Sequence, residues 1–321
     1  MARRQQRDGH QDHRLAIIGA GVVGLATGTG LQARGRDVLF CDVDQERVRL
    51  LQARGLRAIH TAHLAEQAVD AYILCVPTPT VEGSVDLSCV REGAEAVGSA
   101  LRRADGWRLI VVRSTVPPGT TEQVVIPALR FSSGRAPGSD FGVCTNPEFL
   151  RAATAEEDFL SPRVIVIGSL DERSEAAIRG IYASWSDVLV VSTSLRTAEA
   201  TKYVANLFNA AKISFFNEMD RILVGVGADP DIAFWAAAHG AEGLWNPTYG
   251  TRGGRPYGGA CLPKDTTGFL GFLEDLGLDG FSRMLRATIE VNDALLGDLS
   301  DVPQTSSEPR QGVRARDRAV S

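Results

Sequence analysis

The sequence predicts an α/β protein: a doubly wound, open parallel sheet, followed by a long central helix and a small all-α domain. Three observations predict it. Short apolar runs of strand length alternate with helical stretches through the first part of the 321 residues. A glycine-rich turn, "GAGVVG", separates the first apolar run from the first helical stretch. From about Leu195 the alternation gives way to one proline-free helical pattern.

Composition bounds the rest. A chain with 44% hydrophobic residues buries an ordinary core, and its length suggests about two domains. The net charge of −5 favours neither nucleic acid nor an anionic membrane surface, and the apolar runs are far too short to span a bilayer. Residues 1–13 are charged and lack an apolar stretch, which predicts a solvated tail, not a secretory signal. Five cysteines, Cys41, Cys75, Cys89, Cys144 and Cys261, are scattered without a CxxC spacing. That predicts reduced thiols in the cytoplasm and no structural metal site. Cys41 and Cys75 fall within strand-like runs, where an inert buried thiol is expected.

The elements follow in order. "RLAII" reads as a buried strand, and the turn after it has the spacing of a Rossmann-like dinucleotide site. Gly19 allows the tight turn, Gly21 lets a pyrophosphate approach the backbone, and Gly24 lets helix pack on strand. The turn Gly19, Gly21, Val22, Val23 and Gly24 leads into a helix whose first N–H groups would hold the anion. The second strand, "DVLFCDVD", brings Asp42 eighteen residues beyond Gly24, placed to accept from the adenosine ribose hydroxyls. An acid there favours NAD over NADP, because it would repel a 2′-phosphate. Arg47 reads as a helix-surface residue beside the same cofactor-binding rim.

Further strands are expected at "AYILCVPTP", "RLIVVRSTVPPGT", "GVCTNPEFL", "RVIVIG" and "DVLVVST", with helices at 87–104 and 171–183. Ligands sit beyond the carboxyl ends of such strands, so Thr78, Ser114, Thr115, Asn146 and Glu148 are expected to face the cofactor crevice. These observations define an NAD-binding Rossmann domain over residues 14–195.

The second part, residues 196–297, begins with a helix expected over 196–226. Lys202 lies on one face with Asn206 and with Glu199, a polar strip among apolar neighbours that suits a cleft. This helix is apolar on more than one face, which predicts a homodimer formed through it. Residues 240–260 carry seven glycines and little secondary-structure signal, with Arg252 and Arg255 interleaved among Trp245, Tyr249 and Tyr257. Such a loop suits a phosphorylated or ring-bearing ligand. It runs into "GGACLPKD", where Gly258 and Gly259 precede Cys261, the one cysteine in a loop of the kind that carries chemistry. Helices are expected at about 265–277 and 281–296, and residues 298–321 read as a disordered tail.

Taken together, "RLAIIGAGVVGL", "CVPTPT", "RSTVPPGTT", "TNPEFLR", "DFLSPRVIVIG", "TAEATKYVANLFNAAKISFFNE", "YGGACLPKD" and "RATIEVND" resemble the UDP-glucose/GDP-mannose dehydrogenase family over residues 14 to 296. The resemblance implies an oxidoreductase that converts a primary alcohol of a nucleotide sugar to a carboxylate in two NAD-dependent steps. It makes Cys261 the thiol nucleophile, and Lys202, Asn206 and Asp265 its polar partners. Thr115 and Glu148 would position water and order the cofactor. Substrate would meet Glu148, Phe149, Leu150, Lys202, Asn206, Arg252, Arg255, Gly258 and Cys261. The pairing through the long helix is implied as well. Two departures stand out. The family's "NPEFLREG" reads "NPEFLRAA" here, and the chain stops before the family's usual third, nucleotide-gripping domain. The second departure leads to the expectation of a non-standard sugar nucleotide, a nucleoside or glycoside, or a partner protein that supplies the missing wall. Two other readings stay open: a two-electron hydroxyacid-type NAD dehydrogenase, and an inactive truncated binding subunit.

Overall fold

The computed structural model describes residues 14–300; the expected tail at 1–13 and residues 301–321 of the tail expected at 298–321 lie outside them. The chain divides into two compact units, the first ending at Leu207 and the second beginning at Phe208.

The first unit starts with β1 (Arg14–Ile18), α1 (Val22–Ala33), β2 (Asp37–Asp42), α2 (Gln45–Ala53) and β3 (Ala58–His60). It continues with β4 (Ala71–Leu74), a hairpin of β5 (Thr80–Val81) and β6 (Ser84–Val85), α3 (Ser88–Arg103), β7 (Arg108–Val112), α4 (Ile126–Ser133) and β8 (Phe141–Thr145). Then come α5 (Ala155–Leu160), β9 (Val164–Ser169), α6 (Glu172–Ile181) and β10 (Leu189–Thr193). Eight strands form one sheet in the order β10-β9-β8-β7-β4-β1-β2-β3. The reversal between β1 and β4 is the switch point at which such sheets bind ligands.

The strands alternate between two cores because successive side chains point to opposite faces. Leu15 and Ile17 enter one apolar cluster while Ala16 and Ile18 enter the other. Both faces are covered, so the strands read as continuous apolar runs. The close packing of α1 depends on small residues. A Cβ on Gly28 would meet the Phe40 ring at 2.3 Å, and one on Gly30 would meet Phe159 at 2.1 Å.

One expectation needs correction. The sheet is not wholly parallel, since β8 and β9 pair antiparallel. The cause is the connection between them. Its helix α5 has 6 residues, a rise of about 9 Å, too short to return the chain along the sheet for a parallel crossover. The 10-residue α6 makes that return, and β10 pairs parallel with β9.

Helix α7 (Leu195–Gly225) is continuous, as expected, and the division into units falls within it. The second unit adds α8 (Pro230–Gly240), α9 (Glu242–Trp245), α10 (Leu262–Asp275) and α11 (Arg283–Ser300). Thus α11 runs past the expected limit at 296, and residues 298–300, read from sequence as tail, are helical. Glu218 of α7 accepts from the Met284 and Leu285 N–H groups at the start of α11, an acid stapling two helices of this unit.

Candidate active site

The carboxyl ends of β1, β2, β4 and β7, with the segment after β8, surround a crevice of about 660 Å³. Its floor is the turn after β1. Gly19 has φ +90, a conformation open to glycine at little cost. A Cβ on Gly24 would stand 1.9 Å from the Gly19 carbonyl oxygen, whereas one on Gly21 would meet nothing within 4 Å. The turn is therefore packed tightly behind and open in front. No side chain caps the N-terminus of α1, which leaves its first N–H groups for a ligand.

At one end of the crevice, Asp42 Oδ2 accepts from the Ala20 N–H at 2.8 Å and Oδ1 from Asp44 N–H at 3.0 Å. The acid expected to receive a ribose thus also holds the glycine turn. Arg47 is not a mere helix-surface residue: it lines the crevice and donates from Nη1 to the Ala20 carbonyl at 3.3 Å. Such a turn, an uncapped helix start and an acid at the end of β2 fit a dinucleotide.

At the other end, Thr78 Oγ1 donates to the Thr115 carbonyl at 2.8 Å and Ser114 Oγ to the Val76 carbonyl at 2.7 Å, tying the turns after β4 and β7 together. Glu148 and Lys202 are both buried and form an ion pair of 2.8 Å. The second Glu148 oxygen accepts from Leu150 N–H at 2.5 Å, and Lys202 Nζ stands 5.8 Å from the Phe149 ring centroid. Lys202, Glu148, Phe149 and Leu150 are therefore one cluster, while Asn206, one turn further along α7, is exposed.

Asn146 does not face the crevice as expected. It is buried behind it, accepting from Arg113 Nη1 at 2.6 Å and donating to the Val166 carbonyl at 2.8 Å. Glu199 was expected only as part of the polar strip with Lys202, and Arg113 was missed. Glu199 is buried, one turn before Lys202, and accepts from the N–H groups of Gly119 at 2.5 Å and Thr121 at 2.7 Å. Arg113 lines the crevice. The signal for it was present in "RLIVVRST", a charged residue directly after an apolar strand.

Cysteine chemistry divides by burial. Burial pushes the Cys41 and Cys75 thiols up to about 12 and raises Cys144 further, which keeps all three protonated. Cys89 is half-buried at the crevice. Cys261, in the second unit, is exposed at the N-cap of α10, and its carbonyl accepts from Asp265 N–H at 2.8 Å. Lys264 and Asp265 form an exposed ion pair of 2.5 Å. The loop before Cys261 is anchored by Tyr257 N–H, which donates to Asn292 Oδ1 of α11 at 2.7 Å. Arg252, Arg255 and Gly258 are exposed on that loop. Among the described residues no cluster of His, Cys, Asp and Glu could hold a metal ion, and no helix is long and apolar enough to cross a membrane.

Residues 13–186 match the model of the UDP-glucose/GDP-mannose dehydrogenase family, NAD binding domain, and residues 196–294 match that family's central domain. The chain belongs to this family. Its cofactor is NAD, and the crevice lies within the residues that match the family's NAD binding domain. The chain is 35% identical over 275 residues to the GDP-mannose 6-dehydrogenase of Azotobacter vinelandii, covering 79% of this chain and 63% of that protein. It is 34% identical over 303 residues to a UDP-glucose 6-dehydrogenase of Haloferax volcanii, covering 87% and 69%. The family member thus spans somewhat under two thirds of the first relative. A crystal structure of a ternary complex of GDP-mannose dehydrogenase from Pseudomonas aeruginosa superposes with a TM-score of 0.82 at 31% identity, over 91% of this chain and 72% of that one.

Proposed function

We propose that this chain oxidises the primary alcohol of a sugar nucleotide, of the GDP-mannose and UDP-glucose class named for its relatives, to a carboxylate through a covalent intermediate on Cys261. The observation that carries the reading is the buried Lys202–Glu148 pair beside the NAD crevice. A lysine and a glutamate are seldom buried in a site that does no chemistry, because desolvating both is costly. Bound NAD⁺ would supply the hydride acceptor for both oxidations.

The chain's own residues divide the remaining work. Lys202 and Asn206 stabilise negative charge on the carbinol oxygen, as an oxyanion site does. A water held by Thr115 helps to remove the hydroxyl proton, and Asp265 serves as a further polar catalytic residue. The Cys261 thiolate adds to the aldehyde carbon, giving a thiohemiacetal, which on the second oxidation becomes a thioester. Glu148 orients the water that hydrolyses the thioester and frees the thiol. Phe149, Leu150, Arg252, Arg255 and Gly258 contribute to substrate binding in this reading. Asp42, Arg47, Gly19, Gly21, Val22, Val23, Gly24 and Thr78 serve the cofactor. The chain works as a homodimer through α7, and its five free thiols suit the cytoplasm.

Stoichiometry tests the reading. The purified chain, supplied in turn with UDP-glucose, GDP-mannose, UDP-N-acetylhexosamines, nucleosides and free hexoses, should release two NADH per molecule of acid formed on one of them. Cys261→Ser should form no acid while still binding NAD. One NADH per product, or normal acid yield from the serine variant, would sink the covalent mechanism.

A further inference from the structure

Arg113 is 5% exposed, yet no carboxylate among the described residues lies within ion-pair distance of it. Its guanidinium is held by neutral acceptors. Nε donates to Thr27 Oγ1 at 2.8 Å, and Nη1 donates to Asn146 Oδ1 at 2.6 Å and to the Tyr182 hydroxyl at 3.2 Å. Burial raises the Tyr182 hydroxyl and pushes the nearby Cys75 thiol up to about 12, so neither supplies a counter-charge. The carboxylate of the neighbouring segment, Glu148, is already paired with Lys202. The remaining nitrogen, Nη2, donates to no protein acceptor among the described residues. It is not among the sealed, unpartnered atoms either, and the residue lines the crevice.

A buried cation without a carboxylate partner is expensive, and neutral hydrogen bonds and the Phe159 ring, whose centroid lies 5.2 Å from the guanidinium carbon, recover only part of its lost hydration. The order of the sheet says what it faces. With a ribose at Asp42 after β2 and a pyrophosphate at the turn after β1, the second nucleoside of a dinucleotide lies over β4 and β7. Arg113 follows β7 directly, two strand spacings, roughly 10 Å, from β1. The group that sits there changes charge in use: an oxidised nicotinamide ring is cationic and a reduced one is neutral.

We propose that Arg113 is a cofactor-discriminating residue, whose charge, balanced by no carboxylate among the described residues, disfavours the oxidised nicotinamide relative to the reduced one at the reactive end of the crevice. The inference rests on the NAD reading of that crevice. A fixed charge at such range in a partly desolvated site shifts relative affinity by about tenfold. The effect biases the bound cofactor toward accepting hydride, the direction that alcohol oxidation needs.

The test is the ratio of two dissociation constants, for NADH by its fluorescence and for NAD⁺ by calorimetry, measured on the full chain without substrate. The wild-type chain should bind NADH more tightly than NAD⁺. Arg113→Met should shift the ratio about tenfold toward NAD⁺, and Arg113→Lys, which keeps the charge, should retain the wild-type ratio. A merely structural arginine would move both constants together, and an unchanged ratio in the methionine variant overturns the inference. If circular dichroism shows that Arg113→Met does not fold, Asn146→Asp sets a carboxylate against the intact arginine. It should move the ratio in the same direction, and an unmoved ratio there is equally fatal. A wild-type chain that binds neither form would overturn the reading of the crevice itself, and this inference with it.

Discussion

Lys202 and Glu148 tolerate burial because each neutralises the other across 2.8 Å, with Leu150 N–H satisfying the second carboxylate oxygen. Breaking one half of such a pair leaves a charge with neither water nor partner. Lys202→Met should therefore cost about 3–5 kcal/mol in urea unfolding, beyond any effect on catalysis. Adding Glu148→Gln to it should recover most of that loss, since two neutral groups need no pairing. A double variant as unstable as the single one would show that the lysine contributes packing against Phe149, not charge compensation. Lys202 was legible as unusual from its strip on the helix, but its partner was not, because the two residues are far apart in sequence.

At the scale of elements, α7 is bound to the segment after β7 by the buried carboxylate of Glu199 and by the exposed Arg196–Glu122 ion pair. Glu199 accepts from two backbone N–H groups, those of Gly119 and Thr121, and the same helical face presents Lys202 one turn later. The clamp sets where Thr115 stands relative to Lys202 within the first unit. Glu199→Ala strands two buried donors at about 1–3 kcal/mol each, so a loss of about 2–6 kcal/mol is expected by chemical denaturation. Glu199→Gln keeps one acceptor and should lose less. Equal losses for the two variants would mean that the second bond contributes nothing. Strands β1, β2, β4, β7, β8, β9 and β10 and helices α1, α3, α6 and α7 were legible from periodicity and turn chemistry, while the short β3, β5 and β6 were not. The antiparallel direction of β9 was not, because strand direction depends on how far a connection travels, and an apolar run reads the same in either direction.

For the whole molecule, the open question is what covers the apolar surface of α7. Val204, Leu207, Phe208, Ile213 and Val224 are each more than 60% exposed on that helix. Exposed apolar side chains on more than one face of a helix are the usual mark of an interface. Light scattering at micromolar concentration should give twice the chain mass, and Phe208→Asp should lower it to that of one chain. A wild-type monomer would refute pairing through α7.

The sequence by itself determined most of the strand runs, the glycine turn, the acid at the end of β2 and the long helix. Each of these is a local matter: side-chain period, backbone freedom at glycine, or spacing within one supersecondary unit. Only the tertiary structure decided that Arg47 turns into the crevice, that Asn146 turns away from it, and that Arg113 is buried without a counter-ion among the described residues. These outcomes depend on which distant groups share a desolvated space. The energy of a buried charge is set by those neighbours and not by its place in the chain.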